Sequence, residues 1–292
     1  MSSPVPRSRR RADRSDRATA KAPTSKAGRD LPMAIGVGVA LGAIVLASLL
    51  FDKRGFVAVA TAASIVGAYE LIQALGKGGV AVPAIPVFGA AFAVPVAAFV
   101  WGPPAVAPAV VLAILAVVVT AALGDGRETL QEAAGGVLIV FYPVLLVAFA
   151  LLLLRPEDGI QRIVTFVVVT ICSDIGGYVA GVLFGSRPMA PTVSPKKSWE
   201  GFAGSALSCA IAGVLCVTLA LGGAWWIGLL LGLSVVVAAT VGDLCESMIK
   251  RDLGIKDMSN LIPGHGGLMD RLDSLALSVP VTWAILTFVS TT

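Results

Sequence analysis

The segment Leu233–Ser247 reads "LSVVVAATVGDLCES". Its first ten residues carry no charge and continue an apolar run that starts near residue 224; its last five include Asp243 and Glu246. An apolar run of about 20 residues crosses a hydrocarbon core of roughly 30 Å as a helix. Strands do not fit, because the run lacks the alternation of polar and apolar residues that a membrane barrel needs. The rest of the chain repeats the pattern. Of its 292 residues, 57% are hydrophobic and 14% charged, and the mean hydropathy is +0.89. A soluble domain carries roughly a quarter charged residues. The sequence therefore predicts an all-α, polytopic integral membrane protein.

Polar or Gly/Pro breaks such as "GKGG" and "WGPP" divide the apolar runs into about nine transmembrane helices. They fall at 31–51, 55–75, 83–101, 104–123, 133–154, 160–184, 201–221, 224–246 and 271–290. Before them, residues 1–30 hold nine Lys/Arg and three Asp/Glu with almost nothing apolar, which predicts a disordered basic tail. Such arms can bind nucleic acid, but ahead of a membrane span a cytoplasmic tail near anionic lipid is expected, with no nucleic-acid partner. The first span is too long for a signal-peptide core and is expected to stay as an anchor. Placing the N-terminus in the cytoplasm puts 18 Lys/Arg inside and four (Lys53, Arg54, Arg155 and Arg162) outside, the expected bias. Residues 31–160 then form the N-terminal transmembrane helices. Residues 161–292 form a catalytic region whose loops 185–200 and 247–270 face the cytosol. Cys172, Cys209, Cys216 and Cys245 lie in or at the ends of apolar runs without a C-x-x-C pair, so packing is expected of them rather than zinc or disulfides.

The chemistry concentrates in the second half. "GDLCES" sets Asp243 and Glu246 three apart, and "DRLD" does the same for Asp270 and Asp273; that spacing puts each pair on one helical face. A carboxylate at the centre of a bilayer helix costs about 2.5–3.5 kcal/mol. These acids therefore either meet water or gather around cation. Simple solvation suffices for Asp252 and Glu157, but less well for Asp243, which follows ten uncharged residues. Hard oxygen donors with a single histidine suit Mg²⁺ rather than zinc. "SPKKSWEG" adds Lys196 and Lys197, and the next loop adds Lys250, Arg251, Lys256 and Arg271. Bases beside a carboxylate–metal site are what a polyphosphate substrate requires, although the positive-inside bias alone accounts for some of them. The turn "PGHGG" offers Gly266 and Gly267, whose backbone N–H groups can cradle an anion, and His265, which can donate to phosphate or carry a proton. In "SDIGGYVAGVLFG", Asp174 and Tyr178 share a helical face, and Asp174 is expected to reach the same cavity. Glu70, also inside a span, is expected there too.

Together these residues resemble the phosphatidate cytidylyltransferase (CDP-diacylglycerol synthase) family. Its signature is filled here by Ser247, Lys250, Arg251, Lys256, Asp257, Pro263, His265, Gly266, Gly267, Asp270, Arg271 and Asp273, and the similarity extends over about residues 170–273. Ser198 stands where the family more often has Thr, and Ile175 where it usually has a small residue. The resemblance implies a multi-pass enzyme of the cell (inner) membrane with its site on the cytoplasmic face. It would convert CTP and phosphatidate to CDP-diacylglycerol and pyrophosphate. It implies Mg²⁺ and a second, monovalent cation such as K⁺, held by Asp243 and Asp270, supported by Ser247 and Asp273, in a homodimer. Asp243, Asp270, Asp273, Ser247 and His265 are then the expected catalytic set. Lys196, Lys197, Ser198, Lys250, Arg251, Lys256, Gly266, Gly267 and Arg271 would bind CTP and phosphate, with Asp174, Tyr178, Glu246 and Asp257 in support. CTP-dependent polyprenol or phytol kinases resemble the loops as well but release CDP. A transporter would place its site at the bilayer midplane between related halves, and no convincing internal repeat is present.

Overall fold

Each apolar run forms a helix and stops where the sequence supplies a break. Residues 31–124, 129–261 and 266–289 are described by the structure, a computed structural model. The basic tail and His265 lie outside the described residues. Helix α1 (Leu31–Phe51) ends at Asp52, whose carboxylate caps α2 (Lys53–Lys77) by accepting from the Arg54 N–H at 3.0 Å. Gly79, with φ +88°, follows α2, and Gly102, with φ +80°, separates α3 (Ala84–Trp101) from α4 (Pro103–Leu123). Only glycine adopts such angles at little cost, and Pro103 then opens α4 where its missing N–H is no loss. The expected run at 133–154 is a bent helix, α5 (Thr129–Ile139) and α6 (Leu145–Leu154), joined through a π-helical turn at Val140–Val144. Pro143 explains the wide turn: it has no N–H, and its ring crowds the carbonyl four residues back.

The second half comprises α7 (Gly159–Phe184), α8 (Trp199–Ala220), α9 (Trp225–Asp252) and α10 (Met269–Ala284), the last continuing as a π-turn to Val289. Among the described residues, eight helices are long and apolar enough to cross a membrane, and α1 precedes them. The protein is all-α and polytopic. Two features differ from the sequence-based expectation. Helix α9 runs to Asp252, beyond the expected end of its span at 246, because "MIKRD" continues helix-compatible residues past the apolar run. The loop at 185–200 contains a small antiparallel hairpin, β1 (Pro188–Ala190) with β2 (Ser194–Ser198).

Contacts between turns fix which helix ends lie together. Lys53 Nζ donates to the carbonyls of Pro156 and Glu157, joining the α1–α2 and α6–α7 turns. Arg162, near the start of α7, binds Asp158 at 2.9 Å and donates to the Leu286 carbonyl at 2.8 Å, at the far end of α10. At the opposite end, the end of α7, the hairpin, the end of α9 and the start of α10 come together. Helix α10 packs against both α9 and α6, so it links the two halves of the chain.

Candidate active site

Small residues let α7, α8 and α9 approach closely. A Cβ on Gly204 would lie 2.6 Å from the Gly176 carbonyl, so α7 and α8 touch backbone to backbone. Ser205 donates to the Ser173 carbonyl at 2.6 Å, and Ser208 to that of Cys172 at 2.8 Å. Ser198 caps α8 by accepting from the Gly201 N–H at 3.1 Å. The Glu200 carboxylate accepts from the Ser186 hydroxyl at 2.7 Å and from the Ser186 and Arg187 amides at 3.2 Å. These bonds pin the hairpin onto α8. Strand β2 thereby carries Lys196 and Lys197 to the rim of a cavity of about 330 Å³ between α7, α8 and α9, into which Asp174, Tyr178, Ser198 and Asp243 also open.

Asp243 is held from both sides: Lys197 Nζ lies 2.6 Å from its Oδ2, and the Ser247 hydroxyl donates to its Oδ1 at 3.3 Å. Two turns along, Lys250 bridges two carboxylates, Glu246 at 3.0 Å and Asp270 at 2.8 Å. The other oxygen of Asp270 accepts from the Met258 and Gly267 amides, each at 2.8 Å. Asp273 lies between the two knots, within electrostatic reach of Asp243, Asp174 and Lys250, and its Oδ1 accepts from the Ser274 N–H at 2.7 Å. Ser274 in turn donates to Asp174 at 3.4 Å. This packing depends on Gly242, where a Cβ would lie 2.5 Å from the Asp273 carbonyl.

The expected residues thus fall into two adjoining groups. Asp174, Tyr178, Lys196, Lys197, Ser198 and Asp243 line the cavity. Glu246, Lys250, Asp270 and Gly267 form the second knot, with Asp273 between them. Arg251, Lys256, Asp257 and Arg271 are exposed at the same end. Two turn amides that could have met an outside anion, those of Gly267 and Leu268, are donated to Asp270 and Glu70. Glu70 itself does not face the cavity: it is fully buried against the backbone at the start of α10. The small hydroxyls Ser173, Ser205, Thr240 and Ser274 also line the cavity, and the sequence signalled them only as polar positions within apolar helices. Tyr142, whose buried hydroxyl has no partner among the described residues, gave no more than an aromatic beside a proline.

The donors suit a hard divalent cation in chemistry and charge. Of Asp174, Asp243, Glu246, Asp270 and Asp273, Asp243 pairs with Lys197, and Glu246 and Asp270 share Lys250; Glu246 Oε2 is buried without a hydrogen bond among the described residues. Carboxylates collected in this way repel one another unless cations offset them. Among the described residues no three His, Cys, Asp or Glu side chains are gathered tightly enough to enclose an ion. Asp270 already uses both oxygens on Lys250 and two amides.

Residues 33–289 match the model of the cytidylyltransferase family. The chain belongs to that family. Among relatives of the cytidylyltransferase family, the phosphatidate cytidylyltransferase of Mycobacterium leprae is 40% identical over 90% of this chain and 90% of its own length. The protein of the same name from Mycobacterium tuberculosis is 40% identical over 90% of this chain and 84% of its own. That of Pseudomonas aeruginosa is 47% identical over 39% of this chain and 43% of its own. Family membership covers the N-terminal helices as well as the signature, although those helices carry little recognisable motif.

Proposed function

We propose that this member of the cytidylyltransferase family is a nucleotidyltransferase of phospholipid biosynthesis that converts CTP and phosphatidate to CDP-diacylglycerol and pyrophosphate. The cavity carries this reading: two lysines on a pinned strand face two carboxylates at the end of bilayer helices. A nucleotide from water and a lipid headgroup from the membrane can meet there. A phosphate oxygen of the lipid attacks the α-phosphorus of CTP; the new P–O bond forms as the bond to the β-phosphate breaks, and pyrophosphate leaves. The lipid phosphate is already anionic, so no strong base is required. What remains is to align attacker and leaving group and to offset their repulsion.

Lys196 and Lys197 at the rim, and Lys250 with Arg251, Lys256 and Arg271 nearby, supply the positive charge for the phosphates. Asp243 and Asp270 would hold Mg²⁺, with Ser247 and Asp273 in support and a monovalent cation such as K⁺ beside it. When bound, Mg²⁺ supplies neutralisation of the polyphosphate. Lys197 and Lys250, now on those carboxylates, are placed to exchange them for phosphate oxygens. His265 would act at the phosphate side. The site would open to the cytoplasm of the cell membrane, and the enzyme would work as a homodimer.

The test supplies purified protein with labelled CTP and either phosphatidate or a polyprenol. Pyrophosphate released only with phosphatidate supports the proposal. Release of CDP with the polyprenol points to a lipid kinase, and no use of CTP at all rejects both.

A further inference from the structure

Glu70 belongs to α2, in the half of the molecule that carries little of the signature, yet it touches the start of α10. Its side chain is fully buried, and no cation pairs with it among the described residues. Its charge is met by donors. Oε1 accepts from the Ser259 hydroxyl at 2.6 Å and the Leu268 N–H at 2.8 Å, and Oε2 accepts from the Met269 N–H at 2.8 Å. The first amides of a helix have no partner within it. Leu268, at the cap position of α10, has no side chain that can serve. Glu70 therefore caps α10 from another span, where the positive end of the helix favours a carboxylate. Gly267 fits this contact: a Cβ there would lie 2.9 Å from both Glu70 oxygens.

We infer that Glu70 is a positioning residue for nucleotidyl transfer. By capping α10 and holding Ser259, it sets the height and rotation of the turn that carries Asp270, and of Asp273 one turn on. The neighbouring Met258 amide donates to Asp270, so Glu70 and Asp270 together hold Met258 and Ser259 against Gly267, Leu268 and Met269 at the start of α10. The inference rests on the proposed reaction for its catalytic consequence, but the cap itself is independent of it.

The experiment compares Glu70→Ala, Glu70→Gln and wild-type full-length protein in lipid nanodiscs, using steady-state kinetics and amide hydrogen exchange. Glu70→Ala is expected to lower kcat about 100-fold, roughly two decades of transition-state positioning. KM for CTP should stay within about threefold, because the CTP-facing lysines are untouched. Glu70→Gln keeps an acceptor but turns an NH₂ toward a donor, so it should fall between, at about tenfold. Exchange at Leu268 and Met269 should accelerate at least about tenfold in Glu70→Ala, while amides in α8 keep wild-type rates. A kcat within about twofold of wild type overturns the inference, and so does lost activity with unchanged protection at Leu268 and Met269. If Glu70→Ala does not fold, Glu70→Gln is judged by the same two measurements. Failure of the wild type to make CDP-diacylglycerol would instead reject the proposed reaction, and the exchange data would still decide whether Glu70 caps α10.

Discussion

Lys250 holds two carboxylates of which almost nothing reaches solvent: the Glu246 side chain is 0% exposed and that of Asp270 is 5% exposed. One ammonium between two carboxylates leaves a residual negative charge. Glu246 Oε2 is buried with no hydrogen bond among the described residues, so Lys250 is what the Glu246 side chain depends on. Removing one partner of a buried pair costs about 3–5 kcal/mol because the other is stranded. Lys250→Met should therefore lower the melting temperature in detergent clearly, and adding Glu246→Gln should recover part of the loss. Independent, additive effects of the two changes would show that the pair is not coupled. Asp270→Asn separates charge from shape, since the amide oxygen can still accept from Met258 and Gly267 while the attraction to Lys250 is lost. Turnover of phosphatidate in liposomes should fall more than about tenfold, or roughly 1.4 kcal/mol of barrier, with the fold retained. A smaller loss would remove Asp270 from the catalytic set.

Among the elements, the α9–α10 pair sets the spacing of these acids, and Gly242 sets how near the two helices come. The obstacle to a Cβ there is the Asp273 carbonyl, a backbone atom that cannot swing aside. Gly242→Ala should push α10 away from α9 and cost about 1–3 kcal/mol of stability as overpacking. Activity should fall at least about tenfold, since misplacement by an ångström is costly to an aligned reaction. Gly89→Ala in α3, where a Cβ meets nothing within 4 Å, is the control and should leave both unchanged. Equal behaviour of the two variants would remove the close approach from the account. The helices were legible because about 20 apolar residues in a row leave the chain one option in a bilayer, and "DRLD" and "GDLCES" gave the acid pairs by helical spacing alone. The partners were not. That Lys197 meets Asp243 depends on a hairpin made by residues 188–198, whose pairing no local pattern announces. That Glu70 serves amides near residue 268 depends on contact between helices almost two hundred positions apart. The π-turn at Pro143 left only the proline as a sign, and a proline is equally compatible with a simple kink.

For the whole molecule, the two ends of the bundle carry different charge. Lys77, Arg187, Lys196, Lys197, Lys250, Arg251, Lys256 and Arg271 lie toward the end that holds the candidate site, whereas Lys53, Arg54, Arg155 and Arg162 lie toward the other. Between them the outer faces are apolar, with Val182, Leu183, Leu207 and Leu219 all exposed, as expected of surfaces that meet lipid. The Lys197–Asp243 contact ties the hairpin to the end of α9, and Lys53 ties the α1–α2 turn to the α6–α7 turn. Orientation is therefore a single choice for the whole bundle, and the excess of Lys and Arg favours the site end in the cytoplasm. Asp252 and Glu157 are exposed at opposite ends, so each can report that choice as a cysteine in a background where Cys172, Cys209, Cys216 and Cys245 are alanine. With a membrane-impermeant maleimide, Asp252→Cys should label only from the cytosolic face of sealed vesicles and Glu157→Cys only from the outer face. Exchange of the two patterns would keep the fold and overturn the orientation, and with it the access of cytosolic CTP to Lys196 and Lys197. Labelling of both from one face would contradict the end-to-end arrangement of α7 and α9 itself.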